Sequence, residues 1–168
     1  LSRVIANGSN SPVGRAQFDA VNSFRTQTGI PESAKTLIGT VGQFRADRHP
    51  QKVATLLMDV LTEQANEVHA VMCGAGPEMN LVKAQVAERK LSHRFHFPGE
   101  LADVHAAMSS LDVYVTVNVG TNTGIAGLEA ARCGVPVVAL QLAEKPSTTG
   151  SDWIWSSKNL REVAKRVL

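Results

Sequence analysis

A carboxylate in a distinctive run of residues is the first side chain of this sequence that could do chemistry. Glu129 lies in residues 128–139 (LEAARCGVPVVA), where we expect a helix to begin at the acid, end at Gly134 and lead into a β-branched strand. An acid at a helix N-terminus, facing the carboxyl edge of a parallel sheet, is well placed to bind the ribose hydroxyls of a nucleotide. The run therefore suggests a nucleotide contact.

Two other segments offer groups that bind anions. Arg45 and Arg48 lie in a polar segment after a predicted strand, and guanidinium groups bind phosphate in a bidentate manner, although a solvated surface loop explains them equally well. Residues 121–124 (TNTG) precede the helix of Glu129, where free backbone N–H groups form an anion site. A simple helix cap is the alternative there, and the position after a central strand favours the anion site.

Other motifs are weaker. Gly74 and Gly76 follow a strand, as in a dinucleotide fingerprint, but the third glycine of that pattern is replaced by Met79. The five histidines lack the spacing of metal ligands. Cys73 and Cys133 are far apart, and we expect both to be buried free thiols.

Bulk composition limits the function classes. The 168 residues are 43% hydrophobic and 19% charged, as in ordinary globular domains, and the net charge of +2 with 5% aromatics argues against nucleic-acid binding. No apolar stretch approaches the ~20 residues of a membrane span, and no signal peptide opens the chain. Because the first residue is Leu1, we expect the sequence to begin inside a longer protein.

Strand and helix patterns alternate along the chain. We predict strands over residues 36–41, 68–73, 95–97, 113–117 and 135–140, and helices over residues 15–28, 53–67, 78–90, 102–110 and 158–168 besides the helix of Glu129. This alternation predicts an α/β fold, a Rossmann-like doubly wound parallel sheet. Ligands then bind beyond the carboxyl ends of the strands, in the loops at residues 42–51, 74–77, 98–103 and 118–124.

Taken in order, the motifs resemble the C-terminal, donor-binding domain of a GT-B retaining glycosyltransferase of family 4 (group 1). The matching segments are residues 4–8 (VIANG), 38–42 (IGTVG), 73–78 (CGAGPE), 97–99 (FPG), 109–115 (SSLDVYV) and the Glu129 run. The resemblance implies one half of a two-domain GT-B architecture. Residues 1–34 would be an interdomain segment with a short helix, and residues 35–168 the donor-binding domain, with the N-terminal acceptor domain absent from this chain.

The same resemblance assigns roles to individual residues. Glu129 would bind the ribose, Thr121 and Asn122 would contact the donor sugar, and the donor diphosphate would be bound by Arg48, which matches the family's lysine, and by Arg45, Gln43, Thr123, Gly124 and Ile125. The base would be bordered by Pro98, Gly99, Glu100 and Leu101. Two positions depart from the family, because Thr121 replaces the first carboxylate of the Glu-x7-Glu element and Gln43 replaces an arginine. No single catalytic residue is assigned.

The implied function is retaining transfer of a hexose-type sugar from a nucleotide diphosphate carrier to a glycan or lipid-linked acceptor, typical of polysaccharide biosynthesis. We expect no metal or other cofactor, no nucleic-acid partner, and a cytoplasmic location that allows peripheral association with the inner face of the membrane. This chain alone is expected to be inactive. Two alternatives stay open: a catalytically silent nucleotide-sugar-binding module, suggested by Thr121 and Gln43, and a nicotinamide-dependent oxidoreductase domain, which Met79 disfavours.

Overall fold

The computed structural model describes residues 12–118 and 124–142, and the backbone of residues 154–157. The elements in chain order are α1 (Phe18–Gln27), β1 (Thr36–Val41), a 3₁₀ turn (Ala46–Arg48), α2 (Pro50–Glu63), β2 (Val68–Cys73), α3 (Met79–Glu88), β3 (Phe95–Gly99), α4 (Val104–Ser109), β4 (Val113–Asn118), α5 (Gly124–Arg132), β5 (Val137–Gln141) and β6 (Ile154–Ser157). The predicted opening motif at residues 4–8 and the helix at residues 158–168 lie outside these ranges.

The strands form one sheet whose neighbours are all parallel, in the order β3-β2-β1-β4-β5-β6. Strand order therefore reverses between β1 and β4, as in the doubly wound folds that bind nucleotides at this point. The predicted fold class is confirmed. The sequence patterns missed β6, which adds a strand at the edge beside β5.

Helices cover both faces of the sheet, and each face has its own apolar core. The first core joins α2 and α3 to the sheet through residues such as Leu57, Leu61, Val82 and Met72. The second core joins α1, α4 and α5 to the opposite face through Phe24, Ala107, Ala130 and Tyr114, among others. All six residues of β2 are buried, as expected of a central strand covered on both sides.

The predicted bounds of β1 and β2 agree with the structure, whereas several other boundaries shift. Helix α2 begins at Pro50 and ends at Glu63, earlier than predicted at both ends. Proline is well suited to a first helical turn because that position needs no backbone donor. Strand β3 continues through Pro98 to Gly99, which a strand at the edge of the described sheet tolerates.

Arg94 binds several backbone carbonyl groups at the edge of the sheet where the strands begin. Its guanidinium donates to the carbonyl oxygens of Leu61 (2.9 Å), Ala65 (2.7 Å) and Val68 (2.9 Å), and the residue is only 5% exposed. These bonds satisfy carbonyls at the C-terminal end of α2 and the start of β2, where a cation also complements the helix dipole. Sequence analysis did not single out this arginine.

Candidate functional site

The crevice between β1 and β4 is the natural starting point, because strand order reverses there. β1 pairs with β2 along all six of its residues, but with β4 through the two pairs Ile38–Val113 and Gly39–Tyr114. The Tyr114 hydroxyl, which is buried, donates to the Val41 carbonyl oxygen (3.1 Å) beyond the last of these pairs. Beyond the Gly39–Tyr114 pair, the side chain of Tyr114 thus links β4 to the end of β1.

The segment after β1, residues 42–48, is called the β1 loop below. Its backbone stays bonded to the segment after β2: Gly42 N–H donates to Cys73 O and Phe44 N–H to Ala75 O, each at 2.9 Å. Phe44 is 2% exposed and packs into the first core, while Gln43 is exposed. The loop is therefore anchored by one apolar side chain and presents its polar ones to solvent.

Arg45 and Arg48 share one carboxylate within the β1 loop. The Nε atoms of Arg45 and Arg48 lie 3.1 Å and 3.7 Å from the two oxygens of Asp47, and all three side chains are more than half exposed. Exposed ion pairs contribute little stability, so a phosphate can replace Asp47 at low cost. The structure brings the two predicted cations together and adds Asp47, which sequence analysis had not marked as a site residue.

His49 turns the chain from the arginines into α2. Its backbone adopts the left-handed conformation (φ 51°, ψ 45°), and its carbonyl accepts from Lys52 N–H (3.0 Å) and Val53 N–H (3.2 Å). Histidine is among the side chains that tolerate this region, yet such a conformation is uncommon outside glycine. Strained positions of this kind cluster near ligand sites, and the sequence carried no clear signal for it.

Gly74 and Gly76 make room for the β1 loop. A Cβ atom would lie 1.8 Å from Gly42 O at the first position and 2.5 Å from Phe44 O at the second, and both residues have positive φ. These glycines are therefore explained by the close approach of the loop backbone. This packing removes the reason for considering a dinucleotide fingerprint here.

Glu129 lies within α5 and does not begin it. The helix starts at Gly124, five residues earlier, because Ala126 and Ala130 continue the apolar contact with the second core and Gly127 is buried. The prediction of a helix start at Glu129 is wrong, and the dipole argument for a helix N-terminus does not apply to this half-buried side chain.

Glu129 nevertheless lies close to the crevice. The pKa of Tyr114 is raised, chiefly because burial disfavours the charged phenolate, and the negative charge of Glu129 raises it further. The first turn of α5 carries Gly124, with φ +72°, and the exposed side chain of Ile125. Thr121, Asn122 and Thr123 lie outside the described residues, so their assignments stay predictions.

The residues expected to border a base lie at the same sheet edge, but not at the crevice. Pro98 and Gly99 end β3, which is separated from β1 by β2. The Gly99 carbonyl accepts from Gly74 N–H (2.7 Å), Glu100 is exposed, and Leu101 packs partly against the second core. With ~4.8 Å between strands, β3 lies about 10 Å from β1, and the base contact stays a prediction.

The two cysteine thiols are part of the protein core and do not line the crevice. Both cysteines are free and buried, as expected, and burial raises the pKa of Cys73 to about 12. Within the described ranges, no three histidine, cysteine or acidic side chains are grouped so that they could hold a metal ion. No helix of the described part is long and apolar enough to cross a membrane.

Comparison with known sequences identifies the family. The sequence model for Glycosyl transferases group 1 matches residues 35–168, most of the chain. The chain belongs to the glycosyl transferases group 1 family. It is 26% identical over 121 residues to an alpha-monoglucosyldiacylglycerol synthase of Streptococcus pneumoniae, and 27% identical over 132 residues to a 2-deoxystreptamine glucosyltransferase of Streptomyces kanamyceticus.

These alignments cover 71% and 77% of this chain but 27% and 34% of the two relatives. The chain thus spans about a third or less of their length. Among solved structures, Anabaena HepE in complex with UDP has a TM-score of 0.70 at 22% identity, with 91% of this chain and 43% of HepE covered. The C-terminal domain of LpcC from Francisella tularensis has a TM-score of 0.67 at 19% identity, with 92% and 83% covered. The shared fold is that of GT-B glycosyltransferases, which this chain covers in part.

Proposed function

We propose that this chain is the donor-binding half of a retaining glycosyltransferase and binds a nucleoside diphosphate-sugar beyond the crevice between β1 and β4. One observation carries the proposal: the β1 loop, with Arg45 and Arg48, and helix α5, with Glu129, flank the point where strand order reverses. Group 1 family membership supports a sugar transferase, and HepE, which shares the fold, has been solved with UDP and with UDP-glucose.

The charges suit the leaving group of such a reaction. Arg45 and Arg48 would neutralise the diphosphate, aided by backbone N–H groups of Gly124 and Ile125 at the start of α5 and by that of Thr123. Glu129 would accept hydrogen bonds from the ribose hydroxyls. Gln43 lacks the positive charge that the family pattern has there, and the neighbouring Arg45 supplies one in its place.

The remaining parts of the donor are assigned by the same reasoning. Thr121 and Asn122 would contact the sugar, and Pro98, Gly99, Glu100 and Leu101 would border the base. We propose a glycan or lipid-linked acceptor, bound by a second domain, and no metal or other cofactor. A relative named alpha-monoglucosyldiacylglycerol synthase supports a lipid-linked acceptor, and for such an acceptor we propose a cytoplasmic location at the inner membrane face.

The first experiment measures ligand binding to the 168-residue chain by calorimetry. UDP and GDP are titrated against the chain, with uridine and guanosine as the matched nucleosides. We expect one of the two diphosphates to bind, and to bind more tightly than its nucleoside, because the arginines contact only the phosphates. If neither diphosphate binds, the proposal is wrong.

The second experiment measures transfer by the gene product that contains this chain. It is incubated with UDP-glucose, UDP-N-acetylglucosamine and their GDP counterparts, and with lipid and glycan acceptors. We expect a glycoside product whose anomeric configuration, measured by NMR, is that of the donor. An inverted product would contradict the retaining mechanism. Donor binding without transfer or hydrolysis of any donor would instead identify the silent binding module that Thr121 and Gln43 suggested.

A further inference from the structure

Tyr114 joins the two sides of the crevice. It forms the last pair between β1 and β4, with Gly39, and its hydroxyl donates to the carbonyl oxygen of Val41, two residues further along β1. The Thr40 hydroxyl donates in turn to the Tyr114 oxygen (3.4 Å). Thr40 and Val41 are the last two residues of β1, so this side chain holds the strand where the β1 loop begins.

The position of this contact matters because the β1 loop is fixed to β2 from its other side. Gly42 N–H and Phe44 N–H donate to Cys73 O and Ala75 O, and Phe44 O accepts from Glu78 N–H (3.0 Å). On the side that faces β4, the hydrogen bonds described for the last two residues of β1 are those with the Tyr114 hydroxyl. Losing it leaves the half-buried carbonyl of Val41 without this donor.

Tyr114 also faces the helix that carries Glu129. Its ring belongs to the second core together with Ala130, the residue after Glu129, and helix α5 packs on β4. The charge of Glu129 contributes to the raised pKa of Tyr114, after the larger effect of burial. The tyrosine thus contacts the end of β1 on one side and lies within electrostatic reach of Glu129 on the other.

We propose that Tyr114 is a positioning residue that sets the spacing between the β1 loop and α5, so that one nucleoside diphosphate reaches Arg48 and Glu129 together. This inference rests on the proposed function. Tyr114 itself has no contact with the ligand, because its side chain is buried within the second core. Its contribution is largest for a ligand that contacts both Arg48 and Glu129.

Tyr114→Phe tests this directly, because it removes the hydroxyl and keeps the ring in the core. The matched control is Ser110→Ala, which removes another buried hydroxyl that donates to a backbone carbonyl, that of Ala106 (2.7 Å), within α4 and its cap. For each variant, calorimetry measures the Kd of UDP (or GDP, if the unchanged chain prefers it), of the matching nucleoside, and of pyrophosphate.

We expect Tyr114→Phe to weaken the nucleoside diphosphate about tenfold, as loss of one buried hydrogen bond allows. The nucleoside is not expected to contact the β1 loop and pyrophosphate is not expected to contact Glu129, so the Kd of each should change less than that of the diphosphate, by about threefold or less. Ser110→Ala should leave all three unchanged. Equal losses for all three ligands, or no loss for the diphosphate, would overturn the positioning role.

Amide hydrogen exchange gives a second readout that needs no ligand. In Tyr114→Phe, the Gly42 and Phe44 amides should exchange about tenfold faster than in the unchanged chain, relative to β2 amides. Ser110→Ala should leave these amides unchanged. Unchanged exchange in Tyr114→Phe would overturn the inference even if UDP binds. If the unchanged chain binds neither UDP nor GDP, the proposed function fails, while the amides still decide whether Tyr114 holds the loop.

Discussion

Asp112 and Leu37 exchange two hydrogen bonds between β1 and β4 at the edge of the sheet opposite the crevice. Leu37 N–H donates to Asp112 Oδ2, and Asp112 N–H donates to Leu37 O, each at 2.8 Å. The carboxylate thus extends the pairing of β1 and β4 at the edge where the strands begin, away from the arginines. The aspartate of the SSLDVYV segment consequently has a structural role.

Asp112→Ala should lower the free energy of unfolding by about 1–2 kcal/mol, because one charge-assisted bond between β1 and β4 is lost. Urea denaturation measures this loss, and Asp112→Asn, which keeps an acceptor oxygen, should lose less. The affinity for a nucleoside diphosphate should stay the same in both variants. A selective loss of ligand binding would place Asp112 in the site.

Arg94→Ala should be among the more damaging single substitutions on this sheet edge. It removes a buried guanidinium and leaves the carbonyls of Leu61, Ala65 and Val68 without that donor, which we expect to cost about 3 kcal/mol or more. Arg89→Ala is the control, since Arg89 is exposed and paired with Asp59. Equal stabilities of the two variants in urea would contradict the capping role.

Stability should fall in mild acid because of a histidine pair on β2 and β3. His69 Nδ1 and His96 Nε2 lie 3.0 Å apart. Burial lowers the pKa of His96 to about 4, helped by His69 and Arg25, and burial and Arg94 lower the pKa of His69. The unfolded chain then binds more protons, so this contribution is present above pH 6.5 and is lost as the pH falls towards 4.

Urea denaturation between pH 7 and 4 measures this effect. His96→Gln keeps a hydrogen-bonding partner for His69 but does not titrate, so its stability should fall less over this range than that of the unchanged chain. His93→Gln, at an exposed position, is the control, because it removes a histidine but keeps the contact between His69 and His96. If both variants follow the unchanged chain, the pair does not carry the pH dependence.

Asp47→Asn should strengthen diphosphate binding. Asp47 pairs with both Arg45 and Arg48, so its charge competes with a phosphate for the same guanidinium groups. We expect a gain of about two- to fivefold at low salt, which shrinks at higher ionic strength because the loop is exposed. Calorimetry at two salt concentrations measures it. Weaker binding at both would mean that Asp47 orients the arginines more than it competes with the ligand.

The parts of the fold that sequence analysis predicted well are those dictated by local pattern. Strands β1 and β2 are short apolar runs, and their bounds agree with the structure. Helix α5 was expected to begin at Glu129 but begins at Gly124, because the buried Ala130 and the partly buried Ala126 pack into the second core even though glycine disfavours a helix interior at Gly127. Contact with the rest of the fold outweighs the local preference there.

Of the candidate site, sequence analysis indicated the charged residues, whose roles stay predictions. Arg45, Arg48 and Glu129 are conspicuous because of their type and their place after predicted strands. The contacts of Tyr114 with Val41 and of Gly74 with the β1 loop depend on segments about 30 to 75 residues apart in sequence, so no local pattern indicates them. Gly74 and Gly76 illustrate the opposite kind of error. Their spacing suggested dinucleotide binding, whereas the structure requires glycine there because the backbone of the β1 loop lies too close for a side chain.

The most direct test of the whole account compares two site variants on three ligands. Calorimetry measures the binding of UDP or GDP, of the matching nucleoside and of pyrophosphate to the unchanged chain, to Arg48→Ala and to Glu129→Gln. Glu63→Gln, at an exposed position on α2, controls for the loss of one negative charge.

We expect a crossed pattern. Arg48→Ala should weaken the diphosphate and pyrophosphate but not the nucleoside, and Glu129→Gln should weaken the diphosphate and nucleoside but not pyrophosphate, each loss being about 1–3 kcal/mol. Glu63→Gln should change none of them. If either site variant weakens all three ligands alike, or none, then the arginine loop and helix α5 do not hold the two halves of one nucleotide, and the central claim is wrong.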